Sequence, residues 1–105
     1  MEGFSALIER GSNLEGSLIF DGNVRIAGKV RGDIFCNGNI YIAEEAEVNA
    51  NIKSDVVIIE GNVIGNIEAY ARVEIKGQAY FEGCIKASSL IIQAGATFNG
   101  SSETL

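Results

Sequence analysis

A five-residue phrase, apolar–x–small–x–apolar, recurs along the chain at nearly constant spacing, and nothing else restricts the fold as strongly. It reads "LEGSL" from Leu14, "VRGDI" from Val30, "VNANI" from Val48, "VIGNI" from Val63 and "FEGCI" from Phe81, with an incomplete "FNGS" from Phe98. The central small residues are Gly16, Gly32, Ala50, Gly65, Gly83 and Gly100, at steps of 16, 18, 15, 18 and 17. A second series runs between them: "VRI" from Val24, "IYI" from Ile40, "VII" from Val57, "VEI" from Val73 and "LII" from Leu90, at steps of 16, 17, 16 and 17. Two interleaved series on one period identify a genuine internal repeat, which governs the reading of every local element.

Within each phrase the apolar residues alternate at period two, and β-branched Val and Ile dominate, which predicts strands rather than helices. The segments are short and separated by Gly, Asn, Asp or Ala. A coil of about 17 residues carrying several short strands predicts a parallel β-solenoid whose coils stack at roughly 4.8 Å. About six coils then give a rod about 25–30 Å long. The rival is an antiparallel sandwich or barrel with hairpins at Asp21-Gly22, Asn37-Gly38 and Asn99-Gly100. Free hairpins would let the spacing drift, whereas here one column stays apolar through coil after coil, so the solenoid is preferred. The same register predicts an outward column of Ile19, Phe35, Lys53, Glu68 and Lys86, the last three alternating in sign. It also stacks Ser17, Asp33, Asn51, Asn66, Cys84 and Ser101, with an amide ladder expected at Asn51 and Asn66.

Composition narrows the function classes. With 105 residues and 47% hydrophobic content, the chain has the size and apolar mass of a single folded domain. Thirteen glycines with no proline suit turns spread through an ordered fold rather than a linker. A net charge of −6 disfavours nucleic acid, whose phosphates need clustered Lys and Arg, and disfavours anionic lipid. The two cysteines have no CxxC spacing. Register points Cys36 inward and Cys84 outward, so two free thiols in a reducing cytoplasm are expected. No run approaches the roughly 20 apolar residues of a spanning helix.

The run "GSNLEGSLIFDGNVRIAGKVRGDI" from Gly11, the middle "IIEGNVIGNI" from Ile58 and the closing "QAGATFNG" from Gln93 together resemble the bactofilins, bacterial cytoskeletal proteins built around one repeat domain. The resemblance covers Gly11 to Gly100. It implies an all-β, right-handed parallel β-helix with three short sheets around a triangular core. It also implies filaments that form without nucleotide and have no overall polarity, serving cell shape or protein positioning. The partition it suggests is a short flexible arm over 1–11, the β-helix domain over 12–100 and a short tail over 101–105. The partners it points to are the chain itself, as a homopolymer, and then cell-wall or shape-determining proteins. Long partner-recruiting tails are not expected.

Physical reasoning places the polymer contacts at the ends of the solenoid. An end coil exposes unpaired N–H and C=O groups that template another chain, and monomeric repeat proteins normally cover such ends with polar caps. The first phrase carries Leu14, Leu18 and Phe20, and the last coil carries Leu90, Ile92, Ala96 and Phe98 with no cap following. These end residues are the expected polymer interface, with Phe98 central to the C-terminal contact. In "MEGFSALIER", Met1, Phe4, Leu7 and Ile8 fall at spacings that suit one face of a short helical turn. Phe4, Leu7 and Ile8 are therefore candidate membrane contacts at the inner face of the cytoplasmic membrane, opposed by Glu2 and Glu9.

Catalytic chemistry is hard to assemble from these residues. Left-handed hexapeptide β-helix enzymes rely on histidine as base or zinc ligand, and this chain has none. A cysteine nucleophile would lack a partnering base. Asp21, Asp33 and Asp55 miss the calcium-coil spacing, no GK[ST] follows a glycine loop, and "AEEAEV" reads as a solvated corner. No cofactor or metal is expected. The alternative to a polymer is a non-polymerising β-solenoid that recognises a partner protein. The scatter of Tyr41, Tyr70 and Tyr80 over different columns argues against that reading.

Overall fold

A computed structural model of the protein describes residues 6–104. In chain order the strands are β1 (Ala6–Ile8), β2 (Asn13–Phe20), β3 (Val24–Ile26), β4 (Lys29–Cys36), β5 (Asn39–Ile42), β6 (Glu47–Ile59), β7 (Asn62–Ile75), β8 (Tyr80–Ala87), β9 (Leu90–Ile92) and β10 (Thr97–Thr104). Every strand pairing among the described residues is parallel. The antiparallel reading is thereby excluded. Each coil contributes a short strand and then a longer one that bends at its central small residue, so three runs of sheet enclose the core.

Register follows the sequence repeat. The bend column reads Gly16, Gly32 and Ala50 on one set of pairings, then Gly65, Gly83 and Gly100 on the next. Five of these residues are glycines with φ between 120° and 154°, a region L side chains rarely adopt. Space reinforces the constraint, since a Cβ on Gly65 would lie 2.1 Å from the Ala50 carbonyl oxygen, and one on Gly83 would lie 1.9 Å from that of Gly65. The exception, Ala50, avoids positive φ. Pairing with the next coil then passes from Asn49↔Ile64 to Ile52↔Ile67, skipping the bend.

Inward columns form the core. Ile26, Ile42, Ile59 and Ile75 stack in one line, and Val24, Ile40, Val57 and Val73 in another, all at 0% exposure. The longer strands add Val30, Val48, Val63 and Phe81, then Ile34, Ile52, Ile67 and Ile85. A narrower column holds Cys36, Ser54, Ala69 and Ala87, where only small side chains are buried. The Ser54 hydroxyl donates to the Val56 carbonyl at 3.2 Å, beside a register shift between these residues. Four-residue corners vary the coil length without disturbing the columns. One is Ala43–Ala46, closed by Ala46 N–H to Ala43 C=O at 3.0 Å, which leaves Glu44 and Glu45 exposed on the turn.

Two sequence expectations are corrected here. Within the expected arm, residues 6–8 belong to the solenoid, because Ala6–Ile8 pair in register with Val24–Ile26 and Ile8 is buried. An "ALI" segment 18 residues before "VRI" is one more repeat, and Leu7 and Ile8 lie in a strand rather than in the expected helical turn, whose other members Met1 and Phe4 fall outside the described residues. Residues 101–104 are not a tail, since β10 runs to Thr104 and pairs with β8 through Ala87. The molecule measures 29 × 26 × 24 Å, so a single copy is a block nearly as wide as it is long. A rod requires several copies.

Outside the core, columns carry side-chain ladders. Asn51 Nδ2 donates to Asp33 Oδ1 at 3.1 Å and Asn66 Nδ2 to Asn51 Oδ1 at 3.2 Å, an amide ladder one member longer than expected. Lys53 and Glu68 pair at 3.6 Å and Lys86 and Glu103 at 3.9 Å, in the alternating column. These pairs are exposed and worth little individually. The Tyr41 hydroxyl donates to the Glu60 carboxylate one coil on, and Arg25 lies 5.8 Å from the Tyr41 ring centre.

Two predictions test this architecture. Gly65→Ala combines backbone strain with a direct clash and should lower unfolding free energy by about 3 kcal/mol or more in urea titration. Gly16→Ala meets nothing within 4 Å and should cost only about 1–2 kcal/mol, from φ alone. Equal effects at both positions would contradict the stacked-carbonyl account. The bond to Glu60 and burial push the Tyr41 hydroxyl from 10.0 up to about 12. The folded state therefore holds this proton longer than the unfolded chain, so its stabilisation is complete below about pH 10 and is lost as pH rises toward 12. Absorbance titration at alkaline pH should show a tyrosine transition near pH 12 that Tyr41→Phe removes.

Candidate polymer interface

The two ends of the solenoid are where backbone and core are left unfinished. Among the described residues β1 pairs only with β3 and β2 only with β4, while β9 pairs only with β7 and β10 only with β8. Each end thus presents an open strand edge.

The C-terminal end exposes core-type side chains. Ile92 continues the Ile26–Ile75 column, yet it is 45% exposed because among the described residues nothing stacks on its far side. Leu90 is half-buried in the neighbouring column. Phe98 stacks on Phe81 with ring centres 5.5 Å apart and planes at 27°, leaving its other face turned from the core. Ala96 packs against the core at the same end. Leu90, Ile92 and Phe98 therefore share one end, as expected from sequence. The structure adds a feature that sequence reasoning missed. The last members of the Ile34–Ile85 and Cys36–Ala87 columns are Ser102 and Thr104. One of the three sheets therefore ends in hydroxyls, and the apolar area is confined to the other two. The signal was present in "SSET", whose alternation continues the register of "CIKA".

The N-terminal end is built differently. Leu14, Leu18 and Phe20 are half-buried and pack on the core from above Val30, Ile34 and Cys36. Phe20 tops a column whose members below it are the small side chains of Cys36, Ser54, Ala69, Ala87 and Thr104. All three predicted residues occupy this end and lie opposite the C-terminal set. Of the candidate membrane contacts, Ile8 is a core residue at 6% exposure and Leu7 is exposed at 44%. Phe4 lies outside the described residues.

Both cysteines are free, Cys36 buried and Cys84 exposed. Burial pushes the Cys36 thiol up from 9.0, partly offset by a backbone hydrogen bond from Gly38, and its Sγ donates to the Gly22 carbonyl at 3.1 Å. The Ser101 hydroxyl donates to Cys84 Sγ at 3.2 Å. A disulfide reagent at pH 8 should titrate one thiol in the folded protein and two after denaturation, with Cys84→Ser abolishing the fast reaction. Among the described residues no group of three or more Cys, Asp or Glu is placed to hold a metal ion. No helix is long and apolar enough to cross a membrane.

An all-parallel solenoid with an open, partly apolar edge at each end of the described residues belongs to the class of parallel β-solenoid repeat proteins. Comparison with known proteins makes the class specific. The family model for bactofilins, described as polymer-forming cytoskeletal, matches residues 6–103. Bactofilin BacO of Myxococcus xanthus is 36% identical over 87 residues, which cover 83% of this chain and 69% of BacO. Bactofilin BacP of the same organism is 31% identical over 87 residues, covering 83% of this chain but 36% of BacP. In three dimensions the chain resembles the Thermus thermophilus bactofilin of a cryo-EM reconstruction of double helical filaments, with a TM-score of 0.90, 29% identity, and 95% and 99% of the two chains covered. It also resembles the cytoskeletal bactofilin BacA solved by solid-state NMR, with a TM-score of 0.85, 28% identity, and 95% and 96% covered. The chain belongs to the bactofilin family, a structural family of cytoskeletal polymers.

Proposed function

We propose that this protein is a cytoplasmic scaffold that polymerises end to end through its terminal coils without nucleotide, serving cell shape or the positioning of other proteins. The observation that carries the reading is that Ile92 is exposed and Phe98 only half-buried at the C-terminal end, where the interior members of their columns, Ile26 to Ile75 and Val30 to Phe81, are buried. Complete burial of an Ile or Phe contributes on the order of 1.5–3 kcal/mol. Two copies meeting through Leu90, Ile92 and Phe98, with their strand edges paired, offset the several kcal/mol lost on association. Two free thiols suit a reducing compartment.

Column chemistry favours joining like ends. In a head-to-tail stack, Ser102 and Thr104 of one copy would fall in line with Leu18 and Phe20 of the next. Hydroxyls would then be buried against apolar side chains without partners, an arrangement that costs free energy. Meeting C-end to C-end places Ile92 and Phe98 against their own kind and leaves the hydroxyls together. Meeting N-end to N-end does the same for Leu14, Leu18 and Phe20. Alternating contacts of this sort never close a ring and extend as an open filament without polarity.

Phe98→Arg should retain the β-rich circular dichroism of the native chain while eliminating sedimentable polymer, leaving at most dimers joined at their N-terminal ends. Full-length filaments in that variant would remove the C-terminal contact from the proposal. A native protein that stays monomeric at high concentration would instead favour a partner-binding solenoid.

A further inference from the structure

Ile19, Phe35 and Tyr70 are large apolar side chains that the fold leaves in water, at 80%, 42% and 62% exposure. Register places Ile19 directly over Phe35 on the outward face of the sheet formed by the second half of each long strand, so neither contributes to the core. The column then changes character and continues as Lys53, Glu68, Lys86 and Glu103, which pair in twos. Tyr70 stands two residues beyond Glu68, at the neighbouring corner. The three side chains line one shallow groove of about 300 Å³ together with Phe20, Lys53 and Asp55. Single exposed apolar residues are ordinary, whereas a cluster inside a polar border is the pattern of a contact surface.

The border here is acidic. Asp55 lines the groove, Asp21 accepts a hydrogen bond from the Asn37 amide beside it at 3.0 Å, and Asp33 shares the outward face of β4 with Phe35. Among the described residues none of these three carboxylates is paired with a cation. Lys53 has the opposite sign, and Glu68 holds it at 3.6 Å. Its ammonium lies 6.0 Å from the Phe35 ring centre, so this surface already holds one cation against an aromatic face. Such a border repels a second copy of this chain, whose net charge is −6, and repels the phosphates of lipid and nucleic acid. Positive charge beside an apolar side chain is what complements it. The volume is at the small end of binding sites, which run from roughly 300 to 1,000 Å³, and it suits a short segment rather than a domain.

We propose that this groove docks a short cationic segment of another protein. An apolar side chain of the segment enters between Ile19, Phe35 and Tyr70, while flanking Lys or Arg side chains meet Asp21, Asp33 and Asp55. Burial of the anchor takes apolar surface of both partners out of water, and the carboxylates select against acidic segments. The groove is complete within one chain and lies on the flank of the solenoid, so the proposal does not depend on end-to-end assembly.

The test is fluorescence anisotropy with three labelled peptides of equal length. In the first Lys alternates with Leu and Phe, in the second Lys alternates with Ser, and in the third Glu alternates with Leu and Phe. The native protein should bind the first saturably and about tenfold or more tightly than either control. Ile19→Ser with Phe35→Ser removes the apolar walls, and Asp21→Asn with Asp55→Asn removes charge while keeping the acceptor for the Asn37 amide. Each double variant should weaken the first peptide about tenfold or more, with unchanged circular dichroism because these side chains lie outside the core. Tyr70→Ser and Asp33→Asn replace a double variant that fails to fold. Equal binding of either control peptide, or undiminished affinity in either folded variant, overturns the docking site. Failure of the native protein to bind the first peptide does the same. Each result holds whether or not the protein forms filaments.

Discussion

Parallel backbone hydrogen bonding between successive coils is the constraint from which the rest of this molecule follows. Because each coil lies one strand spacing above the last, every residue has the equivalent residue of the next coil as its nearest neighbour. A position that suits one coil must then suit all of them. Isoleucines stack on isoleucines inside, and amides and alternating charges stack outside. The bend column shows the requirement at its most severe. There the carbonyl of one coil occupies the space a side chain of the next would need, and the backbone adopts a conformation that favours glycine. Where alanine intrudes at Ala50, the pairing lapses for two residues and resumes.

The same constraint explains why the ends matter. Stacking satisfies interior coils from both sides and the described terminal coils from only one, so each end of the described solenoid is left with an open strand edge. In this chain the two ends differ in chemistry: Leu18 and Phe20 begin columns that Ser102 and Thr104 finish. On the end-to-end assembly proposed above, this difference favours joining like ends. Membership of a polymer-forming family agrees with the physics of the edges.

Much of this was legible from residues alone because a solenoid writes its geometry as a period. The alternation of Val and Ile named the inward columns, and the 15-to-18-residue steps named the coils. Leu14, Leu18 and Phe20 were assignable to one end and Leu90, Ile92 and Phe98 to the other. The failures lie at the boundaries, where a period has neighbours on one side only. "ALI" carries too little pattern to separate a first strand from a helical turn. "SSET" lacks apolar residues, so its place in the core columns left no hydrophobic trace. Side-surface features were partly visible, as with the column that includes Ile19 and Phe35. Their exposure and the groove beside Tyr70 required coordinates.

The amino-acid sequence by itself determined the coil, its register and the choice of residues that face inward, because each of these depends on spacing along the chain. Tertiary structure alone decided which columns end unburied, how far β1 and β10 extend the stack, and that one sheet closes in hydroxyls. Those outcomes depend on what lies above and below a residue. At the first and last coils, chain spacing supplies a neighbour on one side and says nothing of the other.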